Sequence, residues 1–112
     1  MLSRRLYQHD MKNLAFYIQG NSMSPTLFDR DMVICSEVQS YDVIEENELY
    51  AIVTTSGAVL VKRVRQVRRN GNSQIVQLNL VADNEPASAA FRIPMSCVRS
   101  LLKVEQTLSA SA

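Results

Sequence analysis

The segment G-N-S-M-S-P-T-L at residues 20–27 separates two apolar, β-favouring runs and determines how the chain turns between them. Gly20 can adopt backbone angles that other residues avoid, and Pro25 fixes one backbone dihedral and has no N–H to donate. Such a segment is typical of a turn that presents a serine, here Ser22, at the end of a strand. An isolated serine in this setting is most often a turn residue that hydrogen-bonds its own backbone.

A lysine in the later segment V-L-V-K-R-V-R-Q-V, residues 59–67, is a candidate partner for Ser22. Side chains alternate between the two faces of a strand, so we expect Lys62 to share a face with Leu60 and Val64. Burying an ammonium group without a partner is costly. Either the lysine stem lies along the apolar surface with its head in water, or the amine loses water and its neutral, proton-accepting form is favoured. The second arrangement is a Ser–Lys nucleophile pair.

The two segments resemble motifs of the serine peptidase domain of LexA-type repressors, a family that includes phage repressors and UmuD-like mutagenesis proteins. The matching sequences are S-M-S-P at 22–25 and V-K-R at 61–63, and the spacing of 62 − 22 = 40 positions between serine and lysine also agrees. The resemblance continues through D-R-D-M-V-I at 29–34 and through 78–86, and it covers residues 14–106. It implies a small all-β fold, similar to LexA and signal peptidase, of several mostly antiparallel strands and hairpins.

The resemblance also implies catalytic roles for Ser22 and Lys62. Ser22 Oγ is expected to attack a peptide carbonyl, while Lys62 takes the hydroxyl proton and later hands it to the leaving amine. The backbone N–H of Ser22, together with that of Asn21, is expected to stabilise the oxyanion. Met23 and Pro25 are expected beside the cleft, and for Met23 core packing is favoured over a part in the chemistry. No cofactor and no metal are expected.

The function implied is that of a C-terminal peptidase-like domain of a LexA- or phage-repressor-type transcriptional regulator, an autoprotease that also forms a homodimer. Family repressors cut an Ala-Gly or Cys-Gly bond upstream of the serine. The three glycines here follow Gln19, Ser56 and Asn70, so the chain contains no such bond. The expected substrate is therefore a separate peptide segment, and DNA is expected to bind only through a missing N-terminal domain.

Two alternative functions fit the same residues. One is a catalytically silent dimerisation module, with an apolar face or edge around residues 101–104 as the expected contact. The other is a UmuD-like or signal-peptidase-like protein. Signal peptidases are membrane enzymes with a late Gly-Asp-Asn-Arg motif, whereas this chain reads A-D-N-E at 82–85 and has no apolar run long enough to span a membrane. We therefore favour a cytoplasmic, LexA-like protein.

Composition indicates one globular domain. The chain has 112 residues, of which 46% are hydrophobic, and its net charge of +1 offers no strong electrostatic attraction to nucleic acid. Cys35 and Cys97 lack the spacing of metal ligands, and we interpret them as reduced core residues.

Four arginines, at positions 63, 65, 68 and 69, follow one another closely in the segment that contains Lys62. We interpret them as a solvated strand edge, where charge deters edge-to-edge association. A nucleic-acid contact is the alternative, but no aromatic residues alternate with these arginines as they do in stacking platforms.

The peptidase-like domain is expected to span residues 14–108. Residues 1–13 are interpreted as an N-terminal arm or linker remnant, and residues 109–112 as a disordered tail. Strands are expected at residues 14–19, 32–38, 49–54, 58–67, 74–80 and 91–94.

Two further segments have a predicted conformation. Asn-Gly at 70–71 predicts a tight primed hairpin turn, after which Val76, Leu78 and Leu80 are expected on one face of a strand. Residues 96–108 fit both helical and strand spacing, and the family resemblance favours a strand.

Overall fold

The computed structural model describes residues 4–5, 13–86 and 89–110, and within these residues eight strands form one sheet. The strands are β1 (Arg4–Arg5), β2 (Asn13–Tyr17), β3 (Met32–Glu37), β4 (Leu49–Thr54), β5 (Val59–Arg69), β6 (Ile75–Val81), β7 (Phe91–Pro94) and β8 (Val98–Leu108). Short 3-10 turns occur at Tyr41–Val43 and Met95–Cys97. All strand pairs are antiparallel, which confirms the predicted all-β fold. In the described part of the chain, no helix has both the length and the apolar character needed to cross a membrane.

The strand order in the sheet is β1-β2-β3-β8-β4-β5-β6-β7. Strands β4 to β7 follow one another as antiparallel neighbours, and the chain then returns to insert β8 between β3 and β4. The last strand in sequence is therefore central in space, and it joins the two halves of the sheet.

Apolar side chains cover both faces of this central region. One core cluster contains Ala51 and Leu102, and a second contains Ile52 and Leu101. Because consecutive residues of a strand point to opposite faces, each pair of neighbours supplies both clusters. This two-sided burial explains why residues 96–108 also fit helical spacing, and the resemblance-based prediction of a strand was right.

The central place of β8 contradicts the expected dimer contact at residues 101–104. Leu101 and Leu102 are each 1% exposed, and β8 pairs with β3 on one side and with β4 on the other. These residues therefore form neither an exposed apolar face nor a free edge.

The hairpin between β5 and β6 has a wider turn than the predicted two-residue form. The loop spans residues 70–74, and the positive φ lies at Ser73 (62°) and not at the Asn-Gly pair. The Oδ1 atom of Asn70 accepts hydrogen bonds from the N–H of Asn72 (2.8 Å) and of Gln74 (3.1 Å). Such side-chain bonds to the backbone stabilise a longer loop.

The predicted inward face of β6 is correct for Leu78 and Leu80 but wrong for Val76, which is 37% exposed. Ile75 is buried in its place. A register shift between β5 and β6 occurs where Arg69 pairs with Ile75, and such an irregularity changes which residue points inward.

The two cysteines differ in burial. Cys35 lies in the core, and its burial, with a smaller contribution from the Glu105 carboxylate, raises the pKa of the thiol to about 12. Cys97 is exposed, contrary to the expectation, because it ends the 3-10 turn that precedes β8.

At the chain termini, the arm expected at residues 1–13 contributes strand β1, which pairs with Leu14 and Ala15 of β2. Residues 1–3 and 6–12 lie outside the described residues, as do 111–112 of the expected tail. Ala110, also in that tail, donates a backbone hydrogen bond of 3.1 Å to Asp31 Oδ1.

Candidate active site

The segment that carries Ser22 is a loop closed at its base by backbone hydrogen bonds. Ile18 N donates to Asp31 O (2.8 Å) and Arg30 N donates to Ile18 O (2.7 Å), so the pairing of β2 with β3 continues into the loop. Gly20, with a φ of 84°, donates its N–H to Asp29 Oδ1 at 2.7 Å. These contacts fix the entry and the exit of the turn.

Apolar side chains anchor the interior of the loop. Met23 and Leu27 are 2% and 0% exposed and belong to the first core cluster. The carbonyl of Met23 accepts hydrogen bonds from Thr26 N and Leu27 N, both at 2.9 Å, which closes a tight turn. Ser22, the residue before Met23, remains half-buried at the rim of the core.

Ser22 and Lys62 lie within hydrogen-bonding distance. The Nζ atom of Lys62 is 3.1 Å from Ser22 Oγ, and both residues are half-buried. An ammonium group donates in such a contact, whereas a neutral amine can accept the hydroxyl proton. A nucleophile and a base at this distance can exchange a proton directly.

The pair opens into a cleft of about 200 Å³ between the end of β2 and the start of β5. The lining residues are Tyr17, Ile18, Gln19, Ser22, Met23, Val59, Leu60, Val61 and Lys62. Met23 therefore has both positions that the sequence suggested, in the core and beside the cleft. Pro25, which was also expected beside the cleft, is exposed and is not among the residues that line it.

The neighbours of the amine differ in part from those that strand alternation predicted. Leu60 lines the cleft, but Val64 is fully buried in the second core cluster. Alternation fixes the direction of Cβ, whereas the flexible four-carbon stem of a lysine can carry its amine elsewhere. Here the stem brings the amine to Ser22, next to Met23 of the first cluster.

A charged pair next to Lys62 connects β5 to the loop after β6. Arg63 donates to both carboxylate oxygens of Asp83, from Nε at 2.9 Å and from Nη2 at 2.6 Å, and its Nη1 donates to Asn47 O at 2.6 Å. Thr26 Oγ1, from the loop of Ser22, donates to Asp83 Oδ2 at 2.5 Å. One carboxylate thus holds together the strand of Lys62 and the loop of Ser22.

The next residue, Asn84, holds the backbone of the Ser22 turn. Its N–H donates to Ser22 O at 2.9 Å, and its Nδ2 donates to Asn21 O at 3.1 Å. The N–H of Asp83 contacts Met23 Sδ at 3.4 Å. The loop after β6 therefore positions the turn on three consecutive residues.

A model of the Peptidase S24-like family matches residues 1–95. The chain belongs to this family. Its members are LexA-, UmuD- and phage-repressor-like serine peptidases, so the resemblance read from the sequence is confirmed. Comparisons with curated proteins and with solved structures found no match.

In this S24-like domain the Arg63 guanidinium, through its hydrogen bonds, lowers the pKa of Asp83. Burial acts in the opposite direction, and the bond from Thr26 assists Arg63. The carboxylate therefore remains charged at neutral pH, as a bidentate partner of an arginine should.

The two amides expected to stabilise an oxyanion lie in the same turn. Among the described residues, no group accepts a hydrogen bond from the backbone N–H of Ser22 or of Asn21. Ser22 lines the cleft, whereas Asn21 is exposed and is not among the residues that line it.

Sequence reasoning missed the positioning role of Asp83 and Asn84, although both lie in the segment 78–86 that resembles the family and in the stretch compared with the signal peptidase motif. The position of Arg63 in the sequence could have indicated that a carboxylate lies close to this strand. Its neighbours Lys62 and Val64 point to the other face of the strand, and a partly buried guanidinium needs a carboxylate partner. The sequence contains eleven acidic residues, however, and does not show which of them is the partner.

Proposed function

We propose that this S24-like domain is a Ser–Lys peptidase from a LexA- or phage-repressor-type transcriptional regulator, with Ser22 as nucleophile and Lys62 as general base. The observation that carries the proposal is the 3.1 Å contact between Lys62 Nζ and Ser22 Oγ in a partly apolar cleft. Family membership supports peptidase chemistry in general. DNA is bound, in this proposal, by a separate N-terminal domain.

The proposed reaction has two stages. Neutral Lys62 takes the hydroxyl proton as Ser22 Oγ bonds to the carbonyl carbon, and the N–H groups of Ser22 and Asn21 stabilise the oxyanion. The Lys62 ammonium then gives its proton to the departing amine nitrogen as the peptide bond breaks. In the second stage, Lys62 deprotonates a water molecule that attacks the acyl-serine, and it returns the proton to Ser22 as the ester bond breaks.

An extended peptide is the substrate that the cleft supports best. Strand β6 pairs with β5 only from Arg63 onward, so the stretch 59–62 has a paired strand on one side only. A peptide can add to such an open edge through main-chain hydrogen bonds. The apolar walls at Ile18 and Met23 favour a small or aliphatic side chain next to the bond that is cut.

The test is cleavage of a synthetic peptide that contains an Ala-Gly bond, followed by mass spectrometry between about pH 7 and 10. We expect the unmodified protein to cleave this peptide at the Ala-Gly bond. Ser22→Ala and Lys62→Ala should abolish it, whereas Arg30→Gln, an exposed site outside the cleft, should not. Cleavage that persists in Lys62→Ala would refute the role of the lysine.

We also propose that the domain forms a homodimer, as a second function that does not require catalysis. Tyr17 and Leu108 are 54% and 46% exposed, and both pair directly with Met32, from β2 and from β8. Directly paired residues share a face, so these three side chains form an apolar row in which half-buried Met32 lies between two exposed side chains. A row of this kind is a better candidate contact than the buried residues at 101–102.

Sedimentation velocity tests the dimer. We expect a concentration-dependent dimer that Leu108→Glu converts to a monomer. Val43→Glu, at an exposed apolar residue outside the row, is the matched control and should leave the dimer intact. A protein that stays monomeric at high concentration would contradict this second function.

A further inference from the structure

A second groove, of about 400 Å³, lies on the part of the sheet formed by β5, β6 and β7. It shares no lining residue with the cleft of Ser22 and Lys62. Its polar lining consists of three arginines and three side-chain amides, Arg68, Arg69, Arg92, Gln66, Gln77 and Asn79, and we call it the arginine groove.

The strand register places five of these side chains, all except that of Arg69, on one face. Gln66 pairs with Asn79, which pairs with Arg92, and Arg68 pairs with Gln77. Directly paired residues share a face, and Asn79 Nδ2 donates to Gln66 Oε1 at 3.3 Å. Arg68 and Arg92 lie two strands and two residues apart, so standard sheet spacings separate their Cα atoms by roughly 12 Å.

Two of the three positive charges in the groove, those of Arg68 and Arg92, have no partner among the described residues. Arg68 and Arg92 are exposed, and no described residue forms an ion pair or hydrogen bond with either guanidinium. No described carboxylate lines the groove. Glu46, from the loop before β4, contacts Val67, which lines the groove. Its carboxylate accepts a hydrogen bond of 3.1 Å from the backbone N–H of Val67 and does not pair with either arginine. The arginine groove thus contains two exposed guanidinium groups, those of Arg68 and Arg92, that can bind an anionic ligand.

We propose that the arginine groove binds an extended acidic segment of a partner protein. Guanidinium groups bind carboxylates in a bidentate manner, and side-chain amides such as those of Gln77 and Asn79 both donate and accept, which matches a peptide backbone. No aromatic residue lines the groove, whereas sites for single-stranded nucleic acid stack bases on aromatic rings. A peptide is therefore the favoured ligand.

The separation of the two arginines defines the ligand further. An extended peptide rises roughly 3.3 Å per residue, and its side chains at even spacing point the same way. Acidic residues four positions apart are therefore separated by roughly 13 Å and can reach Arg68 and Arg92 together.

The test is fluorescence anisotropy with a labelled peptide that has glutamates four positions apart. The same peptide with glutamines and a labelled oligothymidine are the comparison ligands. We expect the acidic peptide to bind most tightly. Arg68→Ala and Arg92→Ala should each weaken it about fivefold, as expected for a partly exposed ion pair worth about 1 kcal/mol, and salt should weaken it as well.

Arg30→Gln is the matched control, because it removes the same charge outside the groove, and it should leave the affinity unchanged. Ser22→Ala should bind the peptide as the unmodified protein does, so this result is independent of the peptidase proposal. Equal binding of the glutamate and glutamine peptides, equal binding by the double arginine variant, or tighter binding of the oligothymidine would overturn the inference.

Discussion

Replacing Asp83 with alanine removes the carboxylate that connects the loop of Ser22 to the strand of Lys62. Asp83 accepts two hydrogen bonds from Arg63 and one from Thr26. The side chains of Arg63 and Asp83 are 28% and 13% exposed. The pair is thus neither a surface ion pair nor a fully buried one.

The structure sets the size of the expected loss. Exposed ion pairs contribute about 0–1 kcal/mol, and breaking a fully buried pair costs about 3–5 kcal/mol. After the substitution Arg63 keeps its bond to Asn47 O and retains some contact with water. We therefore expect Asp83→Ala to lower the free energy of unfolding by about 2–3 kcal/mol.

Urea denaturation measures this loss, and the chain offers a matched control. Arg30 and Asp29 form an ion pair of 3.7 Å whose side chains are 85% and 57% exposed. Arg30→Gln should change the free energy of unfolding by less than about 0.5 kcal/mol. If Asp83→Ala costs no more than this control, Asp83 does not connect the two elements as described.

The pH dependence gives a second readout of the same pair. Because Arg63 lowers the pKa of Asp83, the carboxylate contributes stability above its unfolded pKa of about 4, and this contribution is lost as the pH falls through the lower folded value. The difference in unfolding free energy between the unmodified protein and Asp83→Asn should therefore shrink below about pH 4. A difference that stays constant down to acid pH would contradict the ion pair.

Three further predictions concern other parts of the fold. Arg30 has a φ of 72°, which is strained for a residue with a Cβ and accessible to glycine. Arg30→Gly should therefore raise the free energy of unfolding by up to about 1 kcal/mol in urea denaturation, and a lower free energy of unfolding would contradict backbone strain at this position. Tyr50 Oη accepts the N–H of Glu45 at 2.8 Å, so Tyr50→Phe should cost about 1–2 kcal/mol in thermal unfolding, and a neutral effect would show that water replaces the hydroxyl. Thiol titration of the native protein should label exposed Cys97 rapidly and buried Cys35 only after unfolding, whereas equal rates would contradict the burial.

The sequence predicted the elements of the sheet well, because most of them depend on local patterns. Ser22 and Lys62 were expected to meet because of their motifs and spacing, and the two atoms are 3.1 Å apart. The alternation of apolar and polar residues was a less reliable guide to strands where the sheet is buried on both faces, as at Leu101 and Leu102. Consecutive residues are then both apolar, and the two-residue period of a strand is no longer visible in the sequence.

The remaining features depend on contacts between residues distant in sequence. The bond from Asn84 to Ser22 joins positions 84 − 22 = 62 apart, and no local pattern predicts which loop covers the turn. The row of Tyr17, Met32 and Leu108 arises because β8 is inserted beside β3. The arginine groove likewise requires the pairing of β5 with β6 and of β6 with β7.

The most direct test of the central claim is covalent labelling of the native protein with a fluorophosphonate, followed by peptide mapping. If Lys62 activates Ser22, a single adduct should form, and it should lie on Ser22. Lys62→Met, which keeps an apolar stem, should abolish the adduct while the protein still unfolds cooperatively. An adduct that forms on Ser22 at the same rate in Lys62→Met would contradict the account.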